Sequence, residues 1–432
     1  MTDTEEQTEQ KLHDRPFNPW RIPATDKAKV VIEEAIRLLQ NYEQHFNLRK
    51  RKRRPADQVV FERTVSAILC DAIHHHLTGD QGDIFISRSN QVLGRKSRYR
   101  PDALNKKLPD ILDTMIAPEM VYIALEVGHK GYFGTARRTT IKAGWRALKR
   151  IKEHDLSIDD FGLANDQEVI ILRSTKDDYW DESQDIEYVD TPDTFRYRQQ
   201  VQDINEWLDS ADINFDEAIL AEGERFIDST DRRLRRIFTQ ERFDSGGRLF
   251  GGFWQRLRKK DRFGGLMIGD EFGVELDYGQ MTPRIIYGML EAEPPSEDLY
   301  SIPGYSTHRA GIKQVMNAML FSRKPLARMP KGVRQSFARD HHITDVCNAI
   351  GAAHPSISSK FYTGIGHDTQ FIESEIMIDT LLQLKKMNIV ALPIHDALIV
   401  PPSSQDQVKE VMLSTFKHHT GIDGLVTIEK GE

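Results

Sequence analysis

Apolar residues recur at helical spacing in several stretches of the chain, and in others they form short runs typical of strands. Between 27 and 46, Val31, Ile36, Leu39 and Tyr42 fall near one face of a helix. The same spacing predicts further helices over 57–77, 139–153, 194–208, 216–239 and 306–321. Short apolar runs predict strands over 120–127, 168–173, 274–278, 389–394 and 397–400.

These patterns divide the chain into three parts. Residues 1–20 begin with a polar, acidic stretch, which predicts a flexible tail. Residues 21–210 are expected to form a mixed α/β or mainly helical module, and 211–432 a second part. The boundary between them is soft, because the acidic segment 174–193 lacks periodicity and predicts a loop or hinge.

Composition narrows the protein class. The 432 residues suffice for two or three domains, and 39% hydrophobic with 29% charged residues is ordinary for a soluble globular protein. Cys70 and Cys347 are too few for a disulfide framework or a four-thiolate zinc site. No run of eighteen apolar residues occurs, so we expect no membrane partner and a reducing, cytoplasmic location.

Charge points to a nucleic-acid partner only through its distribution. The net charge is −7, yet six consecutive basic residues fill 49–54. A second cluster surrounds Tyr99, and its Arg98 and Arg100 are candidates for contacts with a single strand or template. A solvated block of charge remains the alternative for both clusters.

Three consecutive histidines, His74, His75 and His76, lie at the end of the predicted helix 57–77. Neighbouring residues point in different directions on a helix, so we expect a structural role for them rather than metal binding.

Two aspartates occupy unusual settings near strand ends. Asp277 lies towards the end of the predicted strand 274–278, and Asp396 lies between two apolar runs, 389–394 and 397–400, that predict a hairpin. Carboxylates on neighbouring strands can hold two divalent metal ions about 3.5–4 Å apart. Each aspartate alone could also be an ordinary solvated or capping residue.

Between the aspartates, the predicted helix 306–321 carries a cationic stripe. At 100° per residue, Arg309, Lys313, Asn317 and Phe321 form one slanted row beside an apolar face. Such a row is often a solvated face. Its position between the two aspartates instead suggests a binding site for a triphosphate.

In this order, the elements resemble the palm and fingers of family A DNA polymerases and the related single-subunit phage-type RNA polymerases. The segment 277–284, DYGQMTPR, is similar to the first palm motif, and His395-Asp396 is similar to the last. Arg309 and Lys313, followed by Phe321, resemble the fingers helix. Upstream, Gly247-Arg248-Leu249 and Trp254-Gln255 resemble elements that contact primer and template.

The resemblance implies a fold class and a set of roles. The fold is α+β, with a right-hand palm built on an antiparallel sheet and small helical fingers at 211–432, preceded by the module of unknown role. Catalytic residues are Asp277, Asp396, His395 and Lys313. Nucleotide-binding residues are Arg309, Lys313, Asn317, Phe321, Thr282 and Tyr278. Nucleic-acid-binding residues are Arg248, Gln255, Arg284, Gln280, Arg98 and Arg100. Metal ligands are Asp277, Asp396 and a main-chain carbonyl near Tyr278.

The chain departs from the family pattern at three positions, two near the sugar of the incoming nucleotide and one near the metal site. Thr282 stands where the DNA polymerases place a glutamate that blocks the ribose 2′-hydroxyl, and Phe321 replaces a tyrosine. Ala397 replaces the glutamate that follows the last His-Asp. These changes predict relaxed sugar selectivity and a minimal two-carboxylate metal site.

Several functions stay open at this point. The first is template-directed DNA synthesis with two Mg²⁺ ions, which Mn²⁺ can replace. Its expected partners are nucleoside triphosphates, a primer–template and replication proteins. RNA polymerase or primase activity is the nearest alternative. A metal-dependent phosphodiesterase and an inactive nucleic-acid-binding relative are the others.

Overall fold

The computed structural model describes residues 14–80, 82–129, 131, 136–175, 182–220 and 227–431. The chain packs into two compact units. The first unit consists of Met1–Glu168 and Ala221–Asp231, and the second of Val169–Leu220 and Arg232–Glu432. Both combine helices with small sheets, so the fold is α+β.

The first unit contains five helices and six strands among the described residues. The helices are α1 (Asp26–His45), α2 (Pro55–Leu77), α3 (Asn90–Leu93), α4 (Leu108–Met115) and α5 (Trp145–Glu153). The strands are β1 (Arg15–Pro16), β2 (Arg21–Pro23), β3 (Ile84–Phe85), β4 (Ile123–Glu126), β5 (Thr140–Ala143) and β6 (Phe161–Leu163). They form a four-stranded sheet in the order β1-β3-β5-β4 and a separate β2-β6 pair.

Helix α2 is the central element of this unit. Pro55 begins it, at a position where the missing N–H costs nothing. Every residue from 67 to 75 is buried, so the helix is surrounded on all sides rather than being amphipathic. Strand β5 and helix α1 pack against it.

The second unit contains the remaining elements. Its helices are α6 (Pro192–Ser210), α7 (Lys259–Gly265), α8 (Met281–Met289), α9 (Arg309–Phe321), α10 (Ile343–Ala353), α11 (Gly366–Lys386) and α12 (Gln405–Thr420). Its strands are β7 (Ile170–Leu172), β8 (Ile213–Phe215), β9 (Leu234–Phe238), β10 (Gly246–Gly251), β11 (Leu266–Ile268), β12 (Glu271–Phe272), β13 (Val274–Tyr278), β14 (Leu392–Ile394), β15 (Ala397–Val400) and β16 (Val426–Glu429).

Three small sheets organise this unit. One has the order β10-β9-β7 and another β12-β11-β8. The largest has the order β14-β15-β13-β16, and all its neighbouring strands are antiparallel. Helices α9 and α10 share a core in which Ile312, Val315 and Met316 are completely buried.

The structure corrects two predicted helices. Residues 139–153 were expected to be one helix, but 140–143 form β5 and the helix begins only after Gly144. Thr140 and Ile141 are β-branched and pair with neighbouring strands, which favours the extended form. Within 216–239, the carboxy-terminal part is β9, because it pairs with both β7 and β10. Part of 216–239 lies outside the described residues.

The expected organisation of the chain also differs in places. Residues 1–13 of the predicted tail lie outside the described residues, but Arg15 forms part of β1 and donates two hydrogen bonds to the carboxylate of buried Asp71, at 3.0 and 2.9 Å. Helix α6 was assigned to the first module, yet it packs with the second unit. The expected loop at 174–193 lies partly outside the described residues.

Among the helices that the structure describes, none is long and apolar enough to cross a membrane.

Candidate active site

The two predicted aspartates lie side by side, Asp277 on β13 and Asp396 in the turn just before the paired strand β15. Strand β13 pairs with β15 so that Asp277 lies opposite Ala397, the residue that follows Asp396. The main-chain N–H of Tyr278 donates to the carbonyl of Asp396 at 3.2 Å. Both carboxylates are half-buried.

The β14–β15 hairpin is confirmed, with His395 and Asp396 as its two-residue turn. His395 has a φ of 54°, and two-residue hairpin turns require a positive φ at the first central position. Glycine normally supplies this conformation, because other residues adopt it at a cost of about 1–3 kcal/mol. The chain therefore holds a strained histidine beside the aspartate.

The carboxylates repel each other. Burial and the charge of Asp396 raise the pKa of Asp277 to about 7, and Lys313 opposes this shift. Without a further cation, Asp277 is partly protonated at neutral pH.

Helix α9 brings the predicted cations to this region. Lys313 is exposed and close enough to Asp277 to act on its pKa. Arg309 donates from Nε and Nη2 to the carboxylate of Asp298, at 2.7 and 3.0 Å. Its guanidinium also lies 5.4 Å from the ring centre of Tyr300.

Arg248 lies beside the aspartate hairpin but already has a partner. Its Nε and Nη2 donate to Glu373, which is 1% exposed, at 2.5 and 2.9 Å. Burial raises the pKa of Glu373 to about 7, whereas Arg248 lowers it. We take this carboxylate as ionised, because both of its oxygens accept from the guanidinium. Burial and the nearby Arg248 lower the pKa of His395, which favours the neutral imidazole.

Gln255, expected to contact nucleic acid, supports the hairpin through its side-chain amide. Its Nε2 donates to the carbonyls of Pro393 at 2.8 Å and Leu249 at 3.2 Å. The indole N–H of the fully buried Trp254 donates to the same Pro393 carbonyl at 3.0 Å. These contacts fix the strand that precedes Asp396.

Gln280 and Arg284, also expected to contact nucleic acid, are instead bound to backbone. Gln280 accepts from the N–H of Leu299 at 2.8 Å and donates to the carbonyl of Glu297 at 3.2 Å. Arg284 is 6% exposed and donates to the carbonyls of Glu297 and Asp423, at 2.7 and 3.2 Å. Both side chains are therefore tied to the main chain, although the buried Nε of Arg284 has no hydrogen-bond partner among the described residues.

The predicted nucleotide-binding residues differ in how accessible they are. The Tyr278 side chain is buried and its hydroxyl donates to the carbonyl of Met412 at 2.7 Å, so only its main chain can serve a ligand. Thr282 is half-buried in the first turn of α8. Asn317 has a buried Oδ1 without a hydrogen-bond partner in the described part of the chain. Phe321 makes an edge contact with His367, with ring centres 5.2 Å apart.

The two candidates in the first unit are partly engaged. Arg98 forms an ion pair with Glu168 at 3.6 Å, and Arg100 donates to the carbonyl of Val92 at 2.7 Å. Both are half-buried, so they are less available to nucleic acid than the exposed residues Arg49, Lys50, Arg51, Lys52 and Arg54.

The carboxylate pair fits a magnesium site. No group of three or more His, Cys, Asp or Glu side chains arranged for a metal occurs in the described ranges. Mg²⁺, however, commonly takes one or two carboxylates and completes its shell with water and substrate phosphates. A divalent cation would also relieve the repulsion that raises the pKa of Asp277.

Sequence reasoning missed Asp298, Tyr300 and Glu373. Asp298 and Tyr300 lie in a loop that lacks hydrophobic periodicity, and Glu373 lies within a long helix among other polar residues. No local signal distinguishes them. Only their contacts with the predicted residues Arg309 and Arg248 indicate their importance.

No protein-family model matches the chain. No curated protein matches it either. Among solved structures, the chain is similar to the polymerase domain of Pol1 from M. smegmatis, in complex with a DNA primer-template and a dNTP, with a TM-score of 0.28 and 12% identity. The match covers 55% of this chain and 50% of that one, so the chain spans about half the length of that structure.

Proposed function

We propose that the protein catalyses template-directed nucleotidyl transfer, as a DNA polymerase of family A-like type with relaxed sugar selectivity. One observation carries this proposal: Asp277 on β13 lies beside Asp396 in the turn before the paired strand β15, and the cationic helix α9 places Lys313 within electrostatic reach of Asp277. Sequence reasoning had selected the same three residues from separate segments of the chain.

Each residue has a distinct task in this reaction. Asp277 and Asp396, with the main-chain carbonyl of Tyr278, would hold Mg²⁺ or, in its place, Mn²⁺. When bound there, such ions would lower the pKa of the attacking 3′-hydroxyl and would neutralise charge on the leaving pyrophosphate. Lys313 binds the phosphates and can donate a proton to the leaving group.

Arg309 and His395 complete the site. Arg309 binds the triphosphate through charge-assisted hydrogen bonds, for which its planar guanidinium is suited. His395 is exposed in the turn, and its neutral imidazole can orient the primer terminus by hydrogen bonding. Thr282 is too short to exclude a 2′-hydroxyl by steric conflict, which supports relaxed sugar selectivity.

The alternatives differ in their substrates. An RNA polymerase or primase would use the same carboxylates and cations, with ribonucleotides as the better substrate. A metal-dependent phosphodiesterase would need the two aspartates but no cations for a triphosphate, so the position of Lys313 disfavours it. An inactive relative would have no need to retain both carboxylates.

A primer-extension assay with dNTPs and NTPs, run separately on DNA and RNA templates, tests the proposal. Asp277→Asn and Asp396→Asn should each lower incorporation at least about a hundredfold, because each removes a metal-binding charge at constant volume. Circular dichroism and thermal unfolding should stay close to those of the wild type.

Asp270→Asn is the matched control. Asp270 is an exposed aspartate in the turn between β11 and β12 of the same unit, and its change should leave incorporation unaffected. Near-normal incorporation by a folded Asp277→Asn or Asp396→Asn protein would refute nucleotidyl transfer at this site. Cleavage of nucleic acid without incorporation would favour the phosphodiesterase.

A further inference from the structure

The guanidinium of Arg309 is held by one edge. A guanidinium has two edges that can each bind an anion through two parallel N–H groups. Asp298 occupies the edge formed by Nε and Nη2, at 2.7 and 3.0 Å. Among the described residues, Nη1 has no hydrogen-bond partner, so the edge formed by Nη1 and Nη2 is available to a second anion.

We propose that Asp298 is a positioning residue that orients Arg309 so that its open edge faces the triphosphate of the incoming nucleotide. This inference rests on the proposed function and names a residue that the sequence motifs do not include. Asp298 does not contact the nucleotide in this arrangement. It acts only through Arg309.

The segment that carries Asp298 is anchored on both sides of that residue. Gln280 binds the main chain of both neighbours, accepting from Leu299 and donating to Glu297. Arg284 adds a 2.7 Å hydrogen bond to the carbonyl of Glu297. The anchoring explains why these two side chains face inward. Their role is to fix the loop that holds Asp298.

The carboxylate of Asp298 is itself oriented by its loop. Its Oδ1 also accepts from the main-chain N–H of Tyr300 at 3.2 Å. The Tyr300 ring is 3% exposed and lies 5.4 Å from the guanidinium carbon of Arg309, as a cation–π support. Asp298 therefore fixes the guanidinium of Arg309 at the edge formed by Nε and Nη2, and the ring of Tyr300 lies beside it.

This arrangement connects the metal-binding strand to the nucleotide-binding helix. Gln280 lies three residues after Asp277, and the loop that it holds contacts Arg309 at the start of α9. A short chain of hydrogen bonds thus couples the position of strand β13, which carries Asp277, to that of helix α9, which carries Arg309. Coupling of this kind reduces the ordering needed when a nucleotide binds.

A simpler explanation is that the ion pair between Arg309 and Asp298 only stabilises the fold. The solvent exposure of the two side chains argues against this explanation. The side chains of Arg309 and Asp298 are 53% and 36% exposed. Ion pairs with this exposure contribute little to stability, because water screens them. Asp298→Asn should therefore leave the fold intact, so its effect on nucleotide binding can be measured.

The test combines steady-state kinetics with a double-mutant cycle of Asp298→Asn and Arg309→Ala. Asp298→Asn should raise the nucleotide KM about tenfold and change kcat much less, since it disorders a binding group. In the Arg309→Ala background, the same change should have no further effect. Asp193→Asn is the control, because Asp193 forms an exposed ion pair with Arg196 elsewhere in the unit.

Equilibrium binding of nucleotide to the protein with a chain-terminated primer separates this inference from the function on which it rests. Weaker binding by Asp298→Asn, lost in the Arg309→Ala background, supports the positioning role. Tighter binding would show that Asp298 competes with the phosphates, and an effect independent of Arg309 would show a general structural role. Either result overturns the inference. If the wild-type protein binds nucleotide but never incorporates it, nucleotidyl transfer is wrong, while the binding data still decide the role of Asp298.

Discussion

At the scale of single residues, Lys313 is expected to bind the triphosphate and to lower the pKa of Asp277, and one substitution tests both effects. Lys313→Ala removes a cation from the triphosphate, a contact worth about 1.5–3 kcal/mol, so the nucleotide KM should rise at least about tenfold. Burial and Asp396 raise the pKa of Asp277, and Lys313 opposes them. Without Lys313 this pKa rises further. As pH is lowered, incorporation should therefore be lost at a higher pH than in the wild type.

Gln314→Ala is the control for this prediction, because Gln314 is an exposed neighbour on the same helix. Its pH profile and nucleotide KM should match those of the wild type. Lys313→Arg keeps the charge and should restore most of the pH profile. A Lys313→Ala profile with an unchanged acid limb would show that Lys313 does not act on Asp277.

Residues of the candidate site divide into those that local sequence reveals and those that only tertiary contacts reveal. Asp277 and Asp396 were predictable, because each interrupts or follows an apolar run at a strand end. The contacts that Gln280 and Arg284 make within the protein were not predicted. Their side chains are bound to Glu297 and other distant backbone groups, which no local pattern indicates.

At the scale of elements, the aspartate hairpin depends on support from the segment after β10. Gln255→Ala removes two hydrogen bonds to carbonyls, including that of Pro393, and should lower the free energy of unfolding by about 1–3 kcal/mol. Since Pro393 lies three residues before Asp396, kcat should also fall. Denaturant unfolding and single-turnover kinetics measure the two effects.

Gln199→Ala serves as its control, because Gln199 is exposed on α6 and its amide bonds only to Asp203 among the described residues. This change should stay within about 0.5 kcal/mol of the wild type. If Gln255→Ala instead weakened primer–template binding at unchanged stability, Gln255 would be a nucleic-acid contact as the sequence suggested.

Sequence patterns predicted correctly those helices and strands whose conformation is evident from their own residues, without knowledge of the strands that pair with them. Helices α1, α2, α6 and α9 lie close to their expected bounds, and the strands β14 and β15 lie within their apolar runs. Strand β9 lies within 216–239, which was predicted as a helix from its apolar spacing. Pairing with β7 and β10 overrides that spacing.

At the scale of the whole molecule, the division into two units could not be read from the sequence. Residues 227–231 belong to the first unit, although Val169–Leu220 before them belong to the second. Asp228 accepts a 2.7 Å hydrogen bond from buried Arg21, some two hundred residues earlier in the chain. A sequence boundary near 210 misses these residues, because Asp228 and Thr230 contact the first unit through polar side chains and not through a hydrophobic pattern.

The same contact predicts how the stability of the first unit depends on pH. Burial and the charge of Arg21 lower the pKa of His74 to about 4, although Asp228 lies 3.7 Å away and opposes this shift. The imidazole is therefore neutral in the folded unit at pH 7. Unfolding restores an ordinary pKa near 6.5, so stability is complete above pH 6.5 and falls as pH decreases towards 4, by roughly 3 kcal/mol. Denaturant unfolding of the first unit at pH 7 and pH 4.5 measures this loss.

His74→Gln cannot take up the proton and should remove most of the pH dependence, whereas His76→Gln, on the exposed side of α2, should retain it. Equal pH dependence in the wild type and His74→Gln would mean that His74 is already protonated in the folded unit and paired with Asp228.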